Sequence, residues 1–169
     1  MKRKIRIILF IITSVVAILI VSFTLGREWY EGKNQSIVSF ALIHFSGYLF
    51  FLLMPVELAY VYYLSFFSDL EMFAVAVLTA VAAQLIDYFI GYSVSSTVVN
   101  NLVGEDRIKN AEKHIQKYGN LTIFIFNILP LSSSVIAVAA GMVKYRFSGF
   151  IIYSTAGLIV KYLLISLIL

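Results

Sequence analysis

A long apolar run near the end of the chain, residues 121–146, is interrupted at its middle by Pro130 and three serines. Each arm of the run holds about 9 apolar residues, roughly 13 Å of helix, whereas crossing about 30 Å of hydrocarbon takes about 20 residues. Proline cannot donate a backbone hydrogen bond and clashes with the turn before it, so a helix tends to break there. The pattern favours two half-helices that meet near Pro130 to Ser134, forming a re-entrant hairpin, over one kinked spanning helix across residues 121–143.

Composition places the chain in the membrane. Of its 169 residues, 61% are hydrophobic and 13% are charged, and the mean hydropathy is +0.94. Soluble domains of this size are less apolar, and the chain has room for three full spans and several shorter segments. The absence of cysteine excludes disulfides, thiolate catalysis and thiolate metal sites. We predict a single all-α integral membrane domain, and nothing in the sequence implies a cofactor or a metal.

The first 36 residues are predicted to form an N-terminal anchor and an outer loop. Four basic residues within positions 2–6 precede an apolar run across residues 7–25. The run is longer than the core of a usual signal sequence, and Ser22-Phe23-Thr24 is a poor cleavage site, so an uncleaved first span is favoured. Its basic end stays in the cytoplasm. Residues 37–169 then form the main membrane domain.

A second broken run covers residues 37–67 and would measure roughly 46 Å as one straight helix, which overshoots the bilayer. Pro55 interrupts this run, and Glu57 follows the proline. The economical interpretation is a second re-entrant hairpin with its tip near Met54 to Glu57. Its first arm, which contains His44, is longer than needed, so the sequence allows part of that arm to rest in the membrane interface rather than in the core.

Two further runs, 72–94 and 148–169, are long enough to cross the bilayer. Between them, residues 105–118 are rich in charge, and their apolar members fall on one helical stripe. The stripe consists of Ile108, Ala111, Ile115 and Tyr118. These residues predict an amphipathic helix on the cytoplasmic membrane surface, ended by Gly119.

The basic residues favour one topology. If both broken runs are hairpins, ten Lys and Arg residues face the cytoplasm and two, Arg27 and Lys33, face outside. If both runs cross the membrane instead, the count becomes six to six, so the positive-inside tendency supports the hairpins. The hairpins then enter from opposite sides, each followed by a full span, which is the arrangement of an inverted repeat. Because the basic residues flank apolar segments, we expect no nucleic-acid partner.

Three ionisable residues lie inside the predicted membrane segments: Glu57, Asp87 and Lys161. Such residues are costly in a bilayer and by default mark a substrate or ion pathway. Depth along the helices favours Glu57 as the partner of Lys161 and places Asp87 opposite Asn127. A purely structural charge pair is the alternative. The serines of the second break are also candidates for the pathway: Ser132, Ser133 and Ser134.

The order and spacing of several short motifs resemble the DedA family, whose VTT domain is shared with eukaryotic scramblases of the autophagy machinery. The resemblance covers about residues 37–169. The motifs are Pro55-Val56-Glu57, Asp87-Tyr88-Phe89-Ile90-Gly91, Lys117-Tyr118-Gly119, Phe126-Asn127-Ile128-Leu129-Pro130, Ala140-Gly141 and Arg146-Phe147. The family commonly has arginines on both sides of the second hairpin's proline, where this chain has Asn127 and Ser133. An acidic residue common before the first hairpin's carboxylate is also missing, leaving Phe45 and its neighbour His44.

This resemblance implies transbilayer movement of a lipid, such as undecaprenyl phosphate or a phospholipid, although the missing arginines weaken the phosphate-carrier version. We therefore predict a lipid transporter, flippase or scramblase that spans the cell membrane several times with a cytoplasmic N-terminus. Its partners are membrane lipids, with protons or cations as candidate coupling ions, and a homo-oligomer is compatible with the sequence. A non-transporting assembly factor is the alternative. An intramembrane enzyme that uses one of the three serines is disfavoured, because no Gly-x-Ser-x-Gly or His-Glu-x-x-His motif is present.

Overall fold

The broken apolar runs fold into separate short helices, as the sequence predicts. The computed structural model describes residues 35–49, 56–93, 105–129 and 133–168, together with positions 19 and 23. Within these residues lie seven helices and no strand. The helices are α1 (Ile37–Tyr48), α2 (Val56–Leu64), α3 (Asp69–Ser93), α4 (Glu105–Tyr118), α5 (Asn120–Ile128), α6 (Ser133–Met142) and α7 (Phe147–Ile168). The predicted N-terminal span, apart from positions 19 and 23, lies outside the described residues, as do the site candidates Pro55, Pro130 and Ser132.

The helices that precede the two breaks end with the same backbone geometry. α1 ends before Leu49, whose φ and ψ are −72° and 150°, and α5 ends before Leu129, at −74° and 148°. In each case the leucine N–H donates to the carbonyl one turn earlier, of Phe45 or Ile125, before the chain becomes extended. The helices on either side of each break contact each other, α1 with α2 and α5 with α6. The two predicted breaks are therefore present, and α1 ends well ahead of the predicted tip.

The helices α3 and α7 are long enough to cross a bilayer. They have 25 and 22 residues, which at about 1.5 Å per residue give roughly 37 and 33 Å, against about 30 Å of hydrocarbon. Both are strongly apolar, and they are the two candidate spans in the described part of the chain. Two of the three predicted long helices are thus observed, with bounds that agree within a few residues.

The two halves of the molecule share a packing arrangement. α1 packs against α3, and α5 packs against α7. In both halves, therefore, the first short helix, α1 or α5, lies against the long helix that follows the two short helices. The two long helices, α3 and α7, also contact each other. This arrangement fits the predicted repeat. The opposite orientation of the halves and the re-entrant course of the short helices stay predictions.

The helix α6 lies at the centre of the molecule. Every residue from Ser133 to Gly141 is buried, and α6 contacts α3, α4 and α5. A Cβ on Gly91 would lie 2.1 Å from the carbonyl oxygen of Val138, and one on Gly141 would lie 2.1 Å from that of Tyr88. Glycine at both positions lets the backbones of α3 and α6 come into contact, as small residues do between membrane helices. Protein therefore encloses α6, which is the setting in which irregular backbone is tolerated at membrane depth.

The amphipathic helix α4 has the predicted bounds. Ile108, Ala111 and Ile115 are buried, and the helix packs mainly on α6. Tyr118, the fourth residue of the predicted stripe, differs from these three because its side chain is 50% exposed. Gly119 follows with a φ of 55°, so the chain turns into α5 before another element can cover Tyr118.

Candidate functional site

An ion pair between a buried lysine and a partly exposed glutamate joins the first helix pair to the last long helix. Glu57 lies in the first turn of α2, and Lys161 lies within α7. The carboxylate oxygen Oε1 of Glu57 contacts the ammonium nitrogen Nζ of Lys161. The Lys161 side chain is 4% exposed and that of Glu57 is 24% exposed. The predicted partnership of these two residues is confirmed, and Glu57 is the member of the pair that is open to its surroundings.

The ammonium group of Lys161 has further contacts with aromatic side chains. It donates a hydrogen bond to the Tyr48 hydroxyl at 3.2 Å. It also lies 5.6 Å from the ring centre of Tyr48 and 6.0 Å from that of Tyr162, at the distance of cation–π attraction. A buried ammonium group without partners would be strongly unfavourable. A carboxylate, a hydroxyl and two aromatic rings therefore take the place of its water.

A chain of hydrogen bonds continues from this tyrosine hydroxyl through the core to α3. The hydroxyl oxygens of Tyr48 and Tyr162 are 2.9 Å apart, and the Tyr162 oxygen is 2.6 Å from His44 Nε2. His44 Nδ1 is in turn 2.7 Å from Thr79 Oγ1. His44 and Tyr162 are fully buried. The chain thus connects α1, α3 and α7, and the ion pair adds α2 to the same network.

The direction of each bond in this chain follows from its far end. Thr79 Oγ1 donates its proton to the backbone carbonyl one turn earlier, at 2.7 Å, so it accepts from His44 Nδ1. A neutral imidazole with its proton on Nδ1 accepts at Nε2, so Tyr162 donates to His44 and Tyr48 donates to Tyr162. The Tyr48 oxygen is left to accept from the ammonium group. All these dipoles are aligned so that they stabilise the positive charge.

This arrangement can hold a charge and can bind an anion. The series of hydrogen bonds ends at the backbone carbonyl that accepts from Thr79, and a carbonyl has no proton to pass on. We therefore interpret it as support for the lysine charge rather than as a proton path through the protein. If the Glu57 carboxylate is neutralised or displaced, the Lys161 ammonium group can bind another anion. That anion would reach it from the side of Glu57, whose side chain is 24% exposed.

A serine connects the two breaks of the chain. Ser134, in the first turn of α6, donates through Oγ to the backbone carbonyl of Tyr48, the last residue of α1. Ser133 and Ser134 are 4% and 6% exposed. The bond satisfies one of the carbonyl groups that the end of α1 leaves without a helical partner. The structure thus gives Ser134 a structural contact, and Ser133 is buried beside it in sequence.

A second polar cluster surrounds Asn127 near the end of α5. Its side-chain oxygen accepts from Gln84 Nε2, and its amide nitrogen donates to the Ile123 carbonyl at 2.8 Å and to Ser154 Oγ at 3.4 Å. Asn127 and Asp87 are both fully buried. Gln84, one turn before Asp87 on α3, provides the hydrogen bond to Asn127, and the prediction that Asp87 itself faces Asn127 stays a prediction. The cluster holds α3, α5 and α7 together.

Sequence reasoning did not predict the hydrogen-bonding partners of the ion pair. His44 and Tyr48 are one helical turn apart on α1, and Tyr162 follows Lys161 directly, which is a weak signal of a shared polar site. Aromatic residues are common at membrane interfaces, so this signal alone does not identify a buried network. The structure buries the His44 side chain within the protein, with no exposed surface, and the depth of this arm in the membrane stays a prediction.

The described residues and the site together define a class: an all-helical membrane protein with interrupted helices and an ion pair whose lysine is buried. Within the described residues, no group of three or more His, Asp or Glu side chains could hold a metal ion. The VTT domain family matches residues 35–169, and the chain belongs to this family, whose members are membrane proteins.

Two curated relatives match the chain over 99 residues each. One from Lactococcus lactis subsp. cremoris (strain MG1363) is 32% identical, and one from Lactococcus lactis subsp. lactis (strain IL1403) is 31% identical. Both are named alkaline phosphatase-like protein. Each match covers 53% of this chain and 46% of the relative, so the chain spans about half the length of the relatives it matches. No solved structure matches the chain.

Proposed function

We propose that this chain moves lipids across the membrane, as a transporter, flippase or scramblase. The observation that carries the proposal is the Glu57–Lys161 ion pair with its buried lysine, which lies where a broken helix meets a long helix. Ionisable residues are rare inside membrane segments and by default mark substrate or ion pathways. In many transporters, interrupted helices form the sites for substrate and coupling ions. Membership of the VTT domain family supports the membrane setting.

Lys161 is the proposed binding group for a lipid phosphate. Among the residues whose burial is described, it is the one buried Lys or Arg. Tyr48 and the aromatic rings hold the ammonium group when Glu57 moves away. A phosphate that enters from the Glu57 side replaces one anion by another, so the buried cation is never left alone. Protonation of Glu57 would release Lys161 for phosphate and would couple proton uptake to lipid binding.

The proposal includes a topology. The pairs α1–α2 and α5–α6 enter from opposite sides as re-entrant hairpins, α3 and α7 cross the membrane, and α4 lies on the cytoplasmic surface of the cell membrane. The natural chain has no cysteine, so single cysteines at the exposed positions Ser68 and Lys113 can report the two sides. We expect labelling from outside at Ser68 and only from inside at Lys113. Outside labelling at Lys113 would overturn the topology.

Transport is tested with the purified full-length protein in liposomes that contain fluorescent phospholipids or polyprenyl phosphates. We expect the protein to accelerate lipid movement between leaflets and Lys161→Met to abolish this activity. Glu57→Gln should remove the pH dependence of transport, whereas Glu71→Gln, which changes an exposed carboxylate, should leave it intact. Unchanged pH dependence in Glu57→Gln removes this residue from the mechanism. A folded wild-type protein that moves no lipid favours the assembly-factor alternative.

The same vesicles distinguish transport from catalysis. The name of the two relatives makes released phosphate the product to measure, in parallel with lipid movement. We expect the lipids to stay chemically unchanged. Phosphate released from a lipid phosphate by the pure protein would contradict the proposal and support an intramembrane enzyme.

A further inference from the structure

An open groove lies between α5 and α7, away from the ion pair. Its volume is about 690 Å³, within the usual range of about 300–1,000 Å³ for ligand pockets. Leu121, Phe124, Ile152 and Ala156 line its apolar part together with Tyr153. Tyr118, Asn120 and Tyr145 line its polar end, where the Tyr145 hydroxyl donates to Asn120 Oδ1. Neither Glu57 nor Lys161 lines the groove, and no acidic residue does. The groove is therefore distinct from the site proposed for transport.

Two cationic side chains lie at the polar end of this groove. Lys117 Nζ lies 4.8 Å from the ring centre of Tyr118, which lines the groove. Arg146 lies beside Asn120: a Cβ on Gly149 would be 2.8 Å from Arg146 Nε and 3.2 Å from Asn120 Oδ1. Both cationic side chains are exposed. This end of the groove is therefore suited to an anion at the membrane surface.

The groove reaches from its polar end to about the depth of the bilayer centre. α7 begins at Phe147, and Ala156 lies roughly 14 Å further along the helix at about 1.5 Å per residue. One leaflet of hydrocarbon is about 15 Å thick, half of about 30 Å. The α7 wall of the groove, from Ile152 to Ala156, thus lies roughly 8 to 14 Å from the start of the helix and reaches about the bilayer centre, a depth that an acyl chain of that leaflet also reaches.

We propose that this groove binds one anionic glycerophospholipid from the leaflet into which it opens. The lipid phosphate lies between Lys117 and Arg146, and one acyl chain lies along Leu121, Phe124 and Ile152. Tyr118 and Tyr145, which line the polar end, suit the boundary between headgroup and hydrocarbon, where tyrosine is enriched in membrane proteins. A polyprenyl tail is longer than one leaflet and would extend beyond the groove.

The test is lipid binding to the full-length protein in detergent, followed by native mass spectrometry. The lipids are phosphatidylglycerol and phosphatidylcholine of the same acyl chains, and a polyprenyl phosphate. We expect tighter binding of phosphatidylglycerol, and a loss of about fivefold in its affinity for Arg146→Gln, since a basic residue near an anionic surface contributes about 1 kcal/mol. Lys144→Gln is the matched control, because it removes a charge from the same turn but from a side chain that lies 5.7 Å from the Tyr92 ring centre. Its affinity should stay that of the wild type.

A substitution inside the groove tests the place of the acyl chain. Ala156→Phe should fill the apolar part and weaken binding of both phospholipids, and thermal unfolding checks that the variant is folded. If this variant does not fold, Arg146→Gln still tests the proposal. The Arg146 side chain is exposed, so its replacement should leave the fold intact. Equal binding of the two phospholipids, equal losses in the Arg146 and Lys144 variants, or tighter binding of a polyprenyl phosphate would each refute the proposal. None of these outcomes depends on transport.

Discussion

Removing either member of the Glu57–Lys161 pair should destabilise the fold, and by different amounts. In Glu57→Gln the ammonium group keeps Tyr48 and loses its counter-charge at a position that is 4% exposed. In Lys161→Met the carboxylate that remains is 24% exposed and can turn toward water or headgroups. Breaking a buried ion pair on one side typically costs about 3–5 kcal/mol. We expect about 3 kcal/mol for Glu57→Gln and about 2 kcal/mol for Lys161→Met, because partial exposure screens the remaining charge.

The double variant removes both charges and leaves neither of them stranded. We expect Glu57→Gln with Lys161→Met to lower the free energy of unfolding by about 2 kcal/mol, well below the sum of the single losses. The coupling energy is then about 3 kcal/mol, at the upper end for neighbouring residues. Reversible unfolding in mixed micelles by titration with a denaturing detergent measures the free energies, and thermal unfolding gives a second readout.

A control cycle makes this result specific. Glu71 lies in the first turn of α3 and is exposed, so Glu71→Gln and Lys161→Met should be additive within about 0.5 kcal/mol. If the losses for Glu57 and Lys161 are additive within the same limit, the two charges do not stabilise each other. That outcome would refute the ion pair as the reason for the burial of Lys161.

Two other parts of the structure give predictions about folding. His44→Phe keeps an aromatic ring but removes the nitrogens that contact Tyr162 and Thr79, so we expect a loss of about 1–3 kcal/mol in unfolding free energy; a Phe variant as stable as the wild type would contradict the hydrogen-bond chain. Gly141→Leu should prevent α3 and α6 from packing, because a Cβ there lies 2.1 Å from a backbone carbonyl of α3. Size-exclusion chromatography should show little folded protein for this variant, whereas Ala74→Leu, at an exposed position of α3, should elute like the wild type.

Features that depend on local pattern could be predicted from the sequence. Charges and apolar residues with a helical period, followed by a glycine, determine the bounds of α4, 105–118. Apolar length and the two prolines predict where the runs break, because a helix has a fixed rise and proline disrupts it. The Glu57–Lys161 pair could be predicted for the same reason, since the depth of a side chain follows from its position along its helix.

Features that depend on packing between distant segments could not be predicted in this way. His44 and Tyr162 are 118 positions apart, and only the packing of α1, α3 and α7 brings their polar atoms together. Tyr118 shows the same limit at closer range. It has the correct period for the buried stripe, but the turn at Gly119 leaves it 50% exposed at the edge of a groove. Period alone does not show which neighbour covers a side chain.

Asn127 occupies a position where the family resemblance suggests arginine, and the packing explains why this chain does not carry one. A Cβ on Gly157 would lie 2.6 Å from Asn127 Cβ, so the backbone of α7 lies close against α5 here. Gln84 and Ser154 occupy the polar side of the same space. A longer side chain at this position has nowhere to extend without moving a helix.

Asn127→Arg should therefore destabilise the protein instead of restoring a function. Overpacking a buried site typically costs about 1–3 kcal/mol, and the buried guanidinium charge adds to this loss. Gln84→Ala, made in the same protein, should recover part of the loss because it opens space beside the new side chain. Asn127→Leu, whose side chain has the same branching and the same number of heavy atoms, should lose the hydrogen bonds to Gln84, Ile123 and Ser154 and should be less unstable than Asn127→Arg. If the free energy of unfolding of Asn127→Arg equals that of the wild type, the site has room for a guanidinium group and close packing is not the reason for the asparagine.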